Sequence, residues 1–68
     1  MNEEVLNTSL RKFLKTVGVT SQREIEMAIR DAVAAGRIKG NEALKARMVL
    51  TIDAVGLSHT IDATVELE

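Results

Sequence analysis

The sequence predicts an α+β fold of order ααββ, in which two amphipathic helices pack on one face of a two-stranded antiparallel β-hairpin. Two stretches in the first half repeat apolar residues every three or four positions, as helices with one buried face do. The second half alternates apolar and polar residues on both sides of Gly56, as the strands of a hairpin do. With 68 residues, the chain is expected to form one small domain, residues 1–68.

The first helix is predicted over residues 3–17. Its apolar face is formed by side chains at helical spacing: Leu6, Leu10, Phe13, Leu14 and Val17. Asn2 precedes the first turn, where its side chain can accept free backbone N–H groups. Gly18 is the predicted end of this helix, because glycine readily takes the left-handed conformation that follows a helix.

The second helix is predicted over residues 21–35. Ser21 and Glu24 match a capping box, in which each side chain accepts a free N–H of the first turn. The apolar face again has helical spacing: Ile25, Ala28, Ile29, Ala32 and Val33. Glu26 and Arg30 are spaced for an ion pair on the outer face, and Gly36 is the predicted end.

The hairpin is predicted to have strands at residues 45–53 and 58–67, joined by the loop 54–57. This loop places Ile52 opposite His59 and Lys45 opposite Glu66, so that neither face pairs like charges. A two-residue turn is less favourable because it would force a positive φ on Val55.

Composition limits the functions that this chain can have. It has no Cys and a single aromatic residue, Phe13, so the core must be aliphatic and bases cannot stack on aromatic platforms. Residues 1–47 hold nine basic and six acidic side chains, while residues 48–68 hold four acidic and no Lys or Arg. A net charge of −1 is not that of a strongly basic nucleic-acid binder. The acidic start of the chain lacks the features of a signal peptide, and no run of residues is apolar enough to span a membrane. We therefore expect a cytoplasmic protein.

Known catalytic and cofactor motifs are absent. The spacing of Gly36 and Gly40 does not match a phosphate-binding loop, and Gly36 follows a helix C-terminus, where carbonyl groups repel phosphate. Ser58 and Asp62 lie on the opposite strand face from His59, so they cannot form a catalytic cluster. We therefore expect a protein that is not an enzyme and that needs no cofactor or metal.

Two groups of residues remain as candidate contact sites. The basic segment Arg37, Lys39, Lys45 and Arg47 could touch nucleic-acid phosphates if the chain were a partial winged helix. The open edge of the second strand, which carries Thr60, Asp62, Thr64 and Glu66, could pair with a second copy to form a homodimer.

Three segments give the chain a family resemblance: "RKFLKTVGVTSQREIEMAI", "AAGRIKGNEALKARMVLTI" and "GLSHTIDATVELE". They resemble a family of short, uncharacterised proteobacterial proteins that is known only as a domain of unknown function. The resemblance covers nearly the whole chain and implies a small bacterial cytoplasmic protein, but it supplies no site residue. The function predicted from the sequence is a small binding or protein-interaction module with an unknown protein partner. A winged-helix-like nucleic-acid binder is the alternative.

Overall fold

A computed structural model describes all residues, 1–68. The chain forms one long helix and a two-stranded antiparallel sheet, which confirms the α+β class and the hairpin. The elements in chain order are α1 (Glu3–Ala34), β1 (Ala43–Ile52), a short 3-10 turn (Asp53–Val55) and β2 (Leu57–Glu66). They fall into two compact units, Met1–Arg37 and Ile38–Glu68. Although α1 is long, it lacks the apolar content that a membrane-crossing helix requires.

The prediction of two helices is wrong, because α1 runs without a break through Gly18 and Ser21. Gly18 does not take a positive φ, so it does not end a helix. The Thr20 hydroxyl donates to the carbonyl oxygen of Thr16 at 2.7 Å, inside the helical turn that the prediction would have interrupted. Breaking the helix here would leave several backbone groups without partners, and this cost exceeds the weak local preferences of one glycine and one capping box.

Both ends of α1 agree with the sequence. The Asn2 side chain accepts the N–H groups of Glu4 at 3.0 Å and Val5 at 3.2 Å, which confirms the predicted N-cap. At the other end the N–H of Arg37 donates back to Ala32, and Gly36 has a φ of 76°. This is the Schellman ending, and it confirms Gly36 as the residue that stops the helix.

Substituting Gly18 by Ala is expected to stabilise the protein by about 0.5–1 kcal/mol, because alanine is the better residue in a helix interior. A Cβ atom built at Gly18 meets nothing within 4 Å. Gly56→Ala is the matched control and is expected to destabilise, because Gly56 has a φ of 65° that alanine avoids. Urea unfolding followed by circular dichroism measures both changes. Destabilisation by Gly18→Ala would contradict the continuous helix.

The hairpin has the predicted loop length but a different register. Its loop is 53–56 rather than 54–57, and Ile52 pairs with Leu57 instead of with His59. The strands therefore differ from the predicted ranges by one or two residues at their ends. The correct register brings Arg47 opposite Asp62, and it places Lys45 opposite Thr64 rather than Glu66.

The register error left the two faces of the sheet unchanged, because a shift by two residues preserves the alternation. One face is apolar except for His59, which pairs with Leu50. Its members are Leu44, Ala46, Met48, Leu50, Ile52, Leu57, His59, Ile61, Ala63 and Val65. We call this set the hairpin apolar face.

Neither unit contains a buried side chain. In the helical unit, large apolar residues such as Phe13 and Leu14 are 50% and 54% exposed. On the hairpin apolar face, Ile61 is 52% exposed. A two-stranded sheet on its own is marginally stable in water, and isolated helices gain most of their stability by packing an apolar face. Both units therefore present apolar surface whose burial would stabilise them.

Candidate functional site

The main candidate surface is a stripe of apolar residues along α1. Because a helix turns about 100° per residue, eight apolar or small side chains of α1 fall within an arc of about 100°, which Glu3, Asn7 and Glu24 share. We call the eight the α1 stripe: Leu6, Leu10, Leu14, Val17, Ser21, Ile25, Ala28 and Ala32. All eight are exposed or only partly covered.

The α1 stripe repeats every 11 residues. Val17 follows Leu6, and Ala28 follows Val17, each at this interval. An 11-residue repeat has about 3.67 residues per turn, close to that of a straight helix, so the stripe stays on one side of α1. Sequence reasoning missed this repeat because it treated the segments before and after Gly18 separately. Continuing the spacing across Gly18 would have revealed both the single helix and the α1 stripe.

The side of α1 away from the stripe carries most of the charged side chains of the helix, and exposed apolar residues such as Val19 and Met27 lie among them. Gln22 donates a hydrogen bond to Glu26 at 3.1 Å. Glu26 also forms an ion pair with Arg30 at 3.6 Å, which confirms the predicted pair. Such exposed pairs contribute little to stability, but they keep this side of the helix solvated.

The loop between α1 and β1, which contains Gly36 and Gly40 and which we call the joint, is held by hydrogen bonds to Glu42. Its carboxylate accepts the backbone N–H groups of Lys39 and Gly40, both at 2.8 Å, and that of Asn41 at 3.1 Å. Consecutive N–H groups of this kind form a concave anion site. Here the chain supplies the anion itself, so the joint is not an open phosphate cradle. The sequence analysis gave Glu42 no role, although a glutamate two residues after Gly40 was the available signal.

The N–H groups of Lys39 and Gly40 hold the pKa of Glu42 below its ordinary value of 4.5. Because the pKa is lowered, the hydrogen bonds to the Glu42 carboxylate contribute their full stability above about pH 4.5. That contribution is lost as the pH falls through the lowered value. We expect a carboxyl NMR titration to report that low pKa. We also expect Glu42→Gln to speed amide exchange at Lys39 and Gly40 near neutral pH. Glu66→Gln is the control. Equal exchange rates in both variants would show that the Glu42 carboxylate does not protect these N–H groups.

The four basic residues proposed for nucleic-acid contact lie on different elements of the chain. Arg37 ends the helical unit and Lys39 lies in the joint. Lys45 and Arg47 share the polar face of β1, where Arg47 binds Asp62 at 2.7 Å. With one helix in the whole chain, the predicted partial winged helix is wrong, because that module needs a separate recognition helix.

The proposed self-association edge lies on β2. Its four residues, Thr60, Asp62, Thr64 and Glu66, are exposed on the polar face of the sheet. Because the sheet has two strands, β2 pairs with β1 along one edge and leaves the other unpaired. Asp62 is engaged by Arg47 rather than available for a partner. Dimerisation through this edge stays a prediction.

The residue types considered for catalysis at Ser58, His59 and Asp62 are separated by the sheet. His59 lies on the hairpin apolar face, whereas Ser58 and Asp62 lie on the other face, as predicted from the strand alternation. No three His, Asp or Glu side chains converge as metal ligands would.

Comparison with protein families gives one match, which extends over the full length. Residues 1–68 match a family described as "Family of unknown function (DUF6494)". This confirms the resemblance to a family without an assigned function. No curated protein and no solved structure matches the chain.

Proposed function

The chain belongs to this family of unknown function, and we propose that it is a small, non-enzymatic protein-interaction module that binds through the α1 stripe. The observation that carries the proposal is that large apolar residues of the α1 stripe are exposed, among them Leu10 at 44% and Leu14 at 54%. Contiguous apolar surface of this kind marks binding sites on proteins.

The same surface argues for a protein partner rather than a small molecule or nucleic acid. A ligand pocket is concave and carries a few convergent polar groups, whereas the α1 stripe is linear and apolar. A helix with such a side is recognised by another helix or by an apolar groove. Nucleic acid requires clustered positive charge, whereas Arg47 of the four candidate residues is paired with Asp62 and the chain has a net charge of −1.

The proposal is tested on the purified chain by sedimentation and by binding of an apolar fluorescent dye such as ANS. We expect either self-association, or a monomer that binds the dye and unfolds with low cooperativity. The Leu10→Glu variant should reduce association or dye binding. A monomer that unfolds cooperatively and does not bind the dye would overturn the proposal, because its apolar surface would already be covered within one chain.

A further inference from the structure

We propose that the outer edge of β2, the edge that does not pair with β1, binds the same edge of a second copy of the chain. The two β2 strands run antiparallel about a two-fold axis and join the two hairpins into one four-stranded sheet. This edge is separate from the α1 stripe, so the inference goes beyond the proposed function and does not depend on it.

The outer edge of β2 presents a row of backbone N–H and C=O groups. The N–H of Leu67 donates to the carbonyl oxygen of Glu42 at 3.2 Å, so the backbone groups of Leu67 point towards β1. Successive residues of a strand direct these groups to opposite sides, and every second residue before Leu67 therefore also points towards β1. The residues between them point outwards, and all of them are exposed: Ser58, Thr60, Asp62, Thr64 and Glu66. Such an edge is a template for a further strand.

The occupant of this edge must supply an extended strand. Within residues 1–68 the only other strand is β1, which already pairs with the inner edge of β2. The backbone groups of α1 are paired along the helix, so α1 cannot act as that strand. The hairpin apolar face lies at right angles to the edge and cannot cover it with backbone groups. A second copy supplies β2 itself, with the same row of donors and acceptors.

Charges distinguish the two edges of the hairpin. The exposed residues of β1 include Lys45 and Arg47, whereas β2 carries no Lys or Arg. Basic side chains, lysine above all, are typical of edges that are protected against the addition of a strand. On β2 one of the two acids, Asp62, is already neutralised by Arg47 at 2.7 Å. The edge of β2 is therefore the less protected of the two.

Two-fold symmetry determines which residues of β2 would face each other. An axis at Asp62 sets this carboxylate against Asp62 of the second copy. An axis at Thr64 sets Asp62 against Glu66 of the second copy. Like charges that lie directly opposite are unfavourable, so neither of these registers is expected.

Two central registers avoid opposed acids. An axis at Ile61 sets Asp62 against Thr60 of the second copy, and an axis at Ala63 sets Asp62 against Thr64 of the second copy. In both registers, residues that face each other point to the same side of the sheet, so the hairpin apolar faces of the two copies become continuous. A two-stranded sheet is marginally stable in water, whereas three or more strands with an apolar face are sufficient. Pairing therefore relieves the weakness of the single hairpin.

Amide hydrogen exchange at low and high protein concentration tests the pairing on the unmodified chain. We expect a dimer by sedimentation, and slower exchange at high concentration for the N–H groups of Thr60, Asp62 and Thr64. Those of Lys45 and Arg47, on the outer edge of β1, are expected to exchange equally fast at both concentrations. Additional protection at Ser58 identifies the axis at Ile61, and additional protection at Glu66 identifies the axis at Ala63.

Thr60→Glu is expected to weaken the dimer about ten-fold, because two-fold symmetry introduces the new like-charge contact twice. In either register the added carboxylate faces an acid of the second copy. Thr51→Glu is the matched control, since Thr51 is an exposed threonine on the outer edge of β1. It is expected to leave the affinity unchanged. Circular dichroism verifies that both variants keep the fold.

Other results would overturn the inference. A dimer that is dissociated by Leu10→Glu but not by Thr60→Glu would associate through the α1 stripe, which supports the proposed function instead. Species that grow beyond a dimer with concentration would indicate pairing of β1 with β2 of the next copy, without a two-fold axis. A monomer at every concentration would exclude the second copy, and dye binding would then decide the proposed function separately.

Discussion

Replacing Leu14 by Glu is expected to weaken binding through the α1 stripe by at least a hundred-fold. Leu14 lies in the α1 stripe and is 54% exposed in the single chain. A partner that binds the stripe buries Leu14, so the variant loses apolar burial and brings a carboxylate into the interface. Each effect costs about 1.5–3 kcal/mol, and 1.4 kcal/mol corresponds to a factor of ten in affinity. Sedimentation over a range of concentrations measures the change where the chain self-associates through the stripe, and dye binding measures it where the chain does not.

Val19→Glu is the matched control for Leu14→Glu. Val19 is also apolar and 43% exposed, but it lies on the side of α1 away from the stripe. The same new charge is therefore expected to leave the affinity within a factor of about three, as surface substitutions do. If both variants dissociate equally, the α1 stripe is not the interface. If neither dissociates, association uses another surface.

Replacing Ile61 by Lys is expected to destabilise the hairpin by about 1 kcal/mol, because a charge then replaces a half-exposed isoleucine on the hairpin apolar face. Ile61 pairs with Met48 on that face. Thr60→Lys places the same charge on the opposite face, beside Asp62, and is expected to change stability by less than about 0.5 kcal/mol. Urea unfolding followed by amide NMR signals of β1 and β2 measures both effects.

The comparison of these two lysine variants also tests whether the hairpin apolar face is covered in the folded protein. A covered face makes Ile61→Lys much the more damaging substitution, because the ammonium group loses water there. Equal and small effects would show that both faces are solvated. The hairpin would then owe its stability to strand pairing alone, which is rarely sufficient for two strands.

Signals confined to a few neighbouring residues were read correctly from the sequence. The Asn2 cap, the helix end at Gly36 and the Glu26–Arg30 pair each depend on groups that are within five positions of one another. The alternation of the strands also identified both faces of the hairpin. These features form wherever the local backbone is helical or extended, so no distant contact is needed to establish them.

Two predictions from the sequence were wrong, and the first of them arose where a local signal competed with a longer one. Gly18 and the Ser21 capping box resemble a helix boundary, yet α1 continues through both. The continuous 11-residue spacing across Gly18 was the longer signal, and it was also what identified the candidate site. The hairpin register was wrong by two residues because both registers give the same faces, and only the geometry of the loop distinguishes them.

The sequence by itself determined the α+β class, the ends of α1 and the two faces of the hairpin, because periodicity and capping depend on neighbouring residues. Only the tertiary structure decided the strand register, the Arg47–Asp62 pair and the hydrogen bonds from the joint to Glu42. The physical reason is that a backbone N–H or a charge can be satisfied by many partners of similar energy. Which partner it takes depends on the distances that the folded chain establishes.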